Sequence, residues 1–107
     1  MTLLIDTSNS EKITVGINKD VVVDDAKEGK SQRLLGIIHD KLKEKGMSLG
    51  DITKIEVNTG PGSFTGLRVG VSVANALGWL LNVPVNNKDI KKEGPIEPIY
   101  SFTKLNL

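Results

Sequence analysis

Apolar positions recur along this chain with two periods, and the switches between them outline its elements. Leu3-Leu4-Ile5 is a continuous apolar run, the mark of a strand covered on both faces. Asp6-Thr7-Ser8-Asn9-Ser10 follows as turn chemistry, rich in side chains that bond back to the backbone. Ile13, Val15 and Ile17 then alternate with Thr14, Gly16 and Asn18, which predicts a half-buried strand. A tight turn at Asn18-Lys19-Asp20 leads into Val21-Val22-Val23, so the first three strands form an antiparallel meander. After a charged loop from Asp24 to Lys30 the period lengthens: Leu34, Leu35, Ile38 and Leu42 share one helical face and read as core. Ser31 is the expected N-cap of a helix from Gln32 to about Lys45, stopped by Gly46. Met47 to Asp51 reads as a short turn that Ser48 caps. Alternation returns at Lys54 to Thr59, a fourth strand that a helical crossover makes parallel to the first.

A second helix runs from about Thr65 to Leu81 and carries two stripes. Gly66, Gly70, Ala74 and Gly78 recur every four residues, a row that permits close backbone packing. Arg68, Ser72, Asn75 and Trp79 form the polar or amphipathic stripe, either the solvent edge of a buried helix or a face for a partner. On the first helix the corresponding side holds Gln32, Gly36, His39 and Lys43. Gly36 costs about 1 kcal/mol against Ala in a helix interior, so something approaches the backbone there or the cost is tolerated. Val83-Pro84-Val85 starts a last short strand. The expected fold is α/β, a mixed five-stranded sheet with two main helices. Residues 1–85 make the folded unit, and 86–107 make a polar linker and tail. Within that tail, Pro95 and Pro98 keep the segment to Tyr100 extended.

Composition narrows the function classes. The 107 residues make one small domain, and a net charge of +1 implies no general attraction to nucleic acid or membrane. With no Cys, there is no disulfide, thiolate metal site or thiol nucleophile, and a reducing cytoplasm is the expected setting. Aromatic content of 4% is thin for a base-stacking platform. Asp6 interrupts the N-terminal apolar run before a signal-peptide core develops. The run from Val69 to Leu81 is short for a bilayer and contains Ser72, Asn75 and Gly78.

Asn58-Thr59-Gly60-Pro61-Gly62-Ser63-Phe64-Thr65-Gly66 joins the fourth strand to the second helix, where α/β proteins place ligands or partners. Free N–H groups at that helix start suit an anion. The spacing argues otherwise, since no Gly-Lys-Ser/Thr follows, and Thr65 stands where a dinucleotide fingerprint needs its third glycine. Gly60, Pro61, Gly62 and Gly66 are therefore read as a structural loop, with the phosphate reading as the alternative. Asp6 ends the first strand at the position of a phosphate-binding hairpin in actin-like kinases, yet no glycine follows before Gly16. His39 is the sole histidine, on a charged helix face, and adjacent Asp24 and Asp25 read as solvated. No catalytic residue, metal site or cofactor is assigned.

At Ile5-Asp6-Thr7-Ser8, Ser31-Gln32-Arg33-Leu34-Leu35 and Gly60-Pro61-Gly62-Ser63-Phe64-Thr65-Gly66-Leu67-Arg68-Val69-Gly70 the sequence resembles the TsaB, or YeaZ, family. The resemblance spans residues 1 to about 85. It implies an actin-like (ASKHA, RNase H-like) N-terminal subdomain and a non-catalytic scaffold. Its implied partner is TsaD, the enzyme that transfers threonylcarbamoyl to the adenosine beside certain tRNA anticodons. A TsaE-like ATPase joins through the complex, tRNA is met only there, and a homodimer forms in isolation. Family pairing runs through the first two helices, which assigns Gln32, Arg33, Gly36, Arg68, Ser72 and Asn75 to the interface. Lys30 stands where the family usually has His, and Gly36 where Pro is common. Family members are also longer and carry a second actin-like subdomain. The expectation is a shortened member lacking most of that second lobe through an internal deletion, which removes the interlobe nucleotide cleft. Two alternatives stay open: a small nucleotide-binding or phosphotransfer enzyme using Asp6 and the glycine loop, or a homodimeric module without a tRNA role.

Overall fold

A computed structural model describes residues 1–25 and 30–99. Strands β1 (Thr2–Asp6), β2 (Lys12–Ile17) and β3 (Asp20–Asp25) form the antiparallel meander, and β4 (Lys54–Val57) pairs parallel to β1. The sheet order is β3-β2-β1-β4. Register places Leu3 between Ile17 and Ile55, and Ile5 between Val15 and Val57, so these apolar side chains share one face. Helices α1 (Lys30–Glu44) and α2 (Phe64–Leu81) cover that face and close a single core. Leu34, Ile38 and Leu42 enter it from α1, and Val71, Ala74 and Leu77 from α2.

Several expectations need correction. Strand β1 is fully covered on one face only: Leu3 and Ile5 are buried, while Thr2, Leu4 and Asp6 are half-buried. Leu35 is 49% exposed and lies outside the core, because Leu34 takes the inward position. Helix α1 already includes Lys30, so Ser31 sits inside the first turn and does not cap it. Its Gly46 stop stands, with φ +66° in the left-handed region. The N-cap of α2 is Ser63, whose hydroxyl accepts the Gly66 N–H at 3.3 Å. Its C-terminal end turns at Asn82, with φ 57° and ψ 48°.

The fifth strand does not form. Val85 makes isolated bridges to Ile55 and Lys88. Pro84 offers no N–H, and Asn86 and Asn87 take positive φ values of 51° and 63° that turn the chain off the sheet edge. The segment after Val85 is also more than a linker. It contains a short helix α3 (Ile90–Glu93), capped by Asp89, whose Ile90 is buried in the core. The expected end of the tail, Tyr100 onward, lies outside the described residues.

Candidate docking face and glycine loop

The loop after β4 is fastened to the turn after β1 by side chains of both. The Asp6 carboxylate accepts the Ser8 N–H at 2.9 Å and the Ser8 hydroxyl at 2.6 Å. The Asn58 amide donates to the Ser8 hydroxyl oxygen at 3.2 Å, while the Asn58 side-chain oxygen accepts the Gly60 N–H at 2.9 Å. The Ser63 N–H donates to the Ser8 carbonyl at 2.7 Å. Partial burial pulls the Asp6 carboxyl upward, but the Ser8 and Asn58 hydrogen bonds outweigh it, leaving its pKa below the ordinary value.

Each glycine here has a packing reason. A Cβ on Gly62 would lie 2.6 Å from the Ser8 Cβ, and one on Gly66 would meet the Thr7 carbonyl. At Gly70 the obstacle is the Thr7 hydroxyl, which is itself buried and donates to the Gly66 carbonyl. Gly60 has φ +125° and lies against the Ile99 carbonyl; its bond to Pro61 is cis. The small-residue row continues to Gly78, which abuts Val85, with Ala74 fully buried between. That row therefore lies on the sheet side of α2, and what it lets approach is the Thr7 carbonyl at Gly66, the Thr7 hydroxyl at Gly70 and the Val85 side chain at Gly78. Nearby, the Lys30 ammonium donates to the Asn9 carbonyl at 2.7 Å, and burial lowers its pKa.

The outward side of the two helices presents a different surface. Gln32, Arg33 and Gly36 are exposed on α1, and Arg33 pairs with Asp24 at 3.0 Å. A Cβ on Gly36 would meet nothing within 4 Å, so no part of the described chain approaches that backbone. Arg68 and Ser72 are exposed on α2, with the Arg68 guanidinium 5.7 Å from the Phe64 ring centroid. They border a shallow groove of about 310 Å³, floored by Val69 and Val73. Further along, Leu35, Leu42, Met47, Leu49 and Leu77 line an apolar pocket of about 360 Å³, with His39 at its rim. Leu80, 71% exposed, is the most exposed large apolar side chain described on α2.

Asn75 does not join this group. Its amide donates to the Ile96 carbonyl at 2.9 Å and its oxygen accepts the Ile96 N–H at 3.0 Å. Trp79 is 59% exposed but carries the Lys91 ammonium 5.1 Å from its ring centroid. The polar stripe read from the sequence is thus divided: Arg68 and Ser72 face out, Asn75 holds the tail, and Trp79 borders α3. Leu35 and Leu80 were missed as surface residues, because helical spacing alone marks both as apolar without saying which side is covered. Among the described residues, no group of three or more His, Asp or Glu side chains comes together. Helix α2 has the length and apolarity to cross a bilayer, but here its small-residue row packs on a sheet.

A mixed sheet ordered 3-2-1-4, with both main helices on one face, fits an actin-like subdomain. The solved structure titled YeaZ from Pseudomonas aeruginosa superposes with a TM-score of 0.68 at 30% identity, over 78% of this chain and 41% of that one. A family model described as TsaD: tRNA N6-adenosine threonylcarbamoyltransferase matches residues 6–87. The tRNA threonylcarbamoyladenosine biosynthesis protein TsaB of Bacillus subtilis (strain 168) is 37% identical over 80% of this chain and 40% of its own length. The protein of the same name from Escherichia coli (strain K12) is 40% identical over 51% of this chain and 24% of its own. The chain belongs to the TsaB (YeaZ) family. It spans about 40% of the length of the Bacillus relative.

Proposed function

We propose that this chain is a non-catalytic docking subunit in tRNA threonylcarbamoyladenosine biosynthesis, binding a TsaD-like enzyme through the outward face of α1 and α2. The observation that carries this is the unpartnered apolar seam between the helices. Leu35 lines the apolar pocket with Leu42, Met47 and Leu77, Leu80 stands exposed on α2, and Arg68 and Ser72 border the groove floored by Val69 and Val73. Exposed apolar side chains and an arginine on one surface are a common composition for binding hot spots. Two helices packing on two helices supply about 800 Å² per partner, the size of a standard interface. Gln32, Arg33 and Gly36 contribute from α1, and the open space over Gly36 leaves room for a partner helix. The same face serves a homodimer when the partner is absent. A TsaE-like ATPase and tRNA are met only through the assembled complex, in the cytoplasm. The two Ser8 hydrogen bonds to the Asp6 carboxylate support a structural part for Asp6 in this reading.

The test is capture of the same organism's TsaD by the purified chain, with Gly36→Arg/Ser72→Arg as the comparison. Both positions are exposed, so the double variant is expected to fold, which circular dichroism checks. It is expected to lose both TsaD capture and self-association. Unchanged affinity for both in the folded variant overturns the reading.

A further inference from the structure

Residues Pro95 to Ile99 run extended along α2, from Asn75 back to the glycine loop. Their capture is almost entirely through the main chain. Asn75 pairs with both backbone groups of Ile96, at 2.9 and 3.0 Å, as a neighbouring strand would. Three residues on, the Ile99 N–H donates to the Thr59 carbonyl at 2.7 Å. The Ile99 carbonyl lies so close to Gly60 that a Cβ there would come within 2.5 Å of it. Of the side chains, Ile96 packs against the core, while Ile99 is 61% exposed. Such a trough reads an extended backbone with one apolar anchor, the logic by which sheet edges capture peptides.

The way this segment is tethered differs from the way it is held. Ile90, in α3, is buried and fixed in the core. Between it and the tail stands Gly94, with φ +91° and open space around its Cβ position. Three hydrogen bonds and two half-buried side chains, Ile96 and Pro98, form a weak site by themselves. A short tether supplies the rest, because it holds its ligand at an effective concentration of about millimolar. Segments with so few buried apolar contacts also open at far lower free energy than the helices they lie on.

We propose that the trough formed by Asn75, Thr59 and Gly60 is an extended-peptide binding site. Its ligand is the Pro95–Ile99 segment, held in cis here and exchangeable for the same segment of a second copy. Asn75 is the capturing residue, Ile96 the anchor and Gly94 the hinge. The site is separate from the outward helix face, so it stands whether or not that face binds a TsaD-like protein.

The probe is a fluorescently labelled peptide, Gly-Pro-Ile-Glu-Pro-Ile, corresponding to residues 94–99, read by anisotropy. The acceptor is the full chain carrying Ile96→Asp and Ile99→Asp, which disables its own tail and leaves the trough intact. The peptide is expected to bind this acceptor at least about tenfold tighter than the unmodified chain, whose own tail competes. Adding Asn75→Leu to the acceptor, or Ile96→Asp to the peptide, should weaken binding by about tenfold or more. Equal binding to acceptor and unmodified chain, or binding indifferent to Asn75→Leu, overturns the proposal. So does equal binding of a scrambled peptide. Should the acceptor fail to fold, hydrogen exchange on the unmodified chain decides. The Ile96 and Ile99 amides should exchange about a hundredfold faster than those of Val71 and Leu77, whereas equal protection makes the tail a fixed part of the fold and sinks the idea.

Discussion

The Asn86 carboxamide completes a rung of the sheet that the backbone leaves unmade: its oxygen accepts the Val57 N–H at 2.8 Å and its amide donates to the Val57 carbonyl at 3.1 Å. The chain has by then turned away from β4, with Asn86 at φ 51°. One residue therefore ends the strand and satisfies the edge it abandons.

Asn86→Ala removes both hydrogen bonds and places a Cβ-bearing residue without Asn's tolerance for left-handed backbone. The expected cost is about 2 kcal/mol, a drop of roughly 8–16 °C in thermal midpoint for a domain of this size. Asn86→Gly keeps the backbone freedom and loses only the amide, so it should fall between. Differential scanning calorimetry of the three proteins checks the order, and an Asn86→Ala midpoint equal to the parent's refutes the role.

Helix glycines make a paired prediction of opposite sign. At Gly36 a methyl meets open space, so Gly36→Ala should raise stability by about 0.5–1 kcal/mol through helix propensity alone. At Gly70 the same methyl meets the Thr7 hydroxyl, so Gly70→Ala should lower it by about 1–3 kcal/mol. Thr7→Ala combined with Gly70→Ala should cost less than the sum of the two single changes, because the obstacle is gone. Urea unfolding of the four variants measures all of this.

The meander, the crossover to a parallel fourth strand and both main helices are legible in the sequence because each rests on a local period. Ile13, Val15 and Ile17 declare a strand without reference to anything distant, and Leu34, Ile38 and Leu42 declare a helix. What was not legible depends on partners far away in the chain. Whether Val85 extends into a strand is settled by Pro84 and by the turn at Asn86 and Asn87, and no alternation reveals that Asn86 will stand in for a backbone rung. Leu35 has the same chemistry as Leu34, and only the position of α2 and the sheet decides which is covered. Asn75 looks like one member of a polar stripe until Ile96 returns to meet it. The glycine row gave the spacing correctly, but its targets, Thr7 at Gly66 and Gly70 and Val85 at Gly78, are a matter of topology.

Asp6 predicts a pH dependence. Its folded pKa is lowered, so its contribution is present above the unfolded aspartate pKa and is lost as pH falls through the lower folded value. Asp6→Asn should be less stable than the parent near neutrality. The two curves should converge as pH falls through and below the ordinary aspartate range, as the parent's carboxylate is protonated. Unfolding curves across that range that stay parallel would show that Asp6 contributes nothing through its charge.

The docking face makes the last prediction. Leu80 is 71% exposed and Leu35 49% exposed, so polar replacements there leave the core largely untouched. Surface changes of this kind usually alter stability by less than about 0.5 kcal/mol. A partner that buries both side chains loses their apolar area and meets a charge instead, which costs far more at an interface than at a surface. Leu35→Asp and Leu80→Asp should each weaken TsaD binding and self-association by at least about tenfold, with thermal midpoints close to the parent's. Glu56 serves as the control, since it is exposed on β4 and alternates with Ile55 and Val57, which point to the helix-covered side of the sheet. Glu56→Lys should leave both associations unchanged. Surface plasmon resonance for TsaD and analytical ultracentrifugation for self-association separate the outcomes. If Glu56→Lys is the damaging change and the two leucine variants bind normally, the partner sits on the opposite face of the sheet.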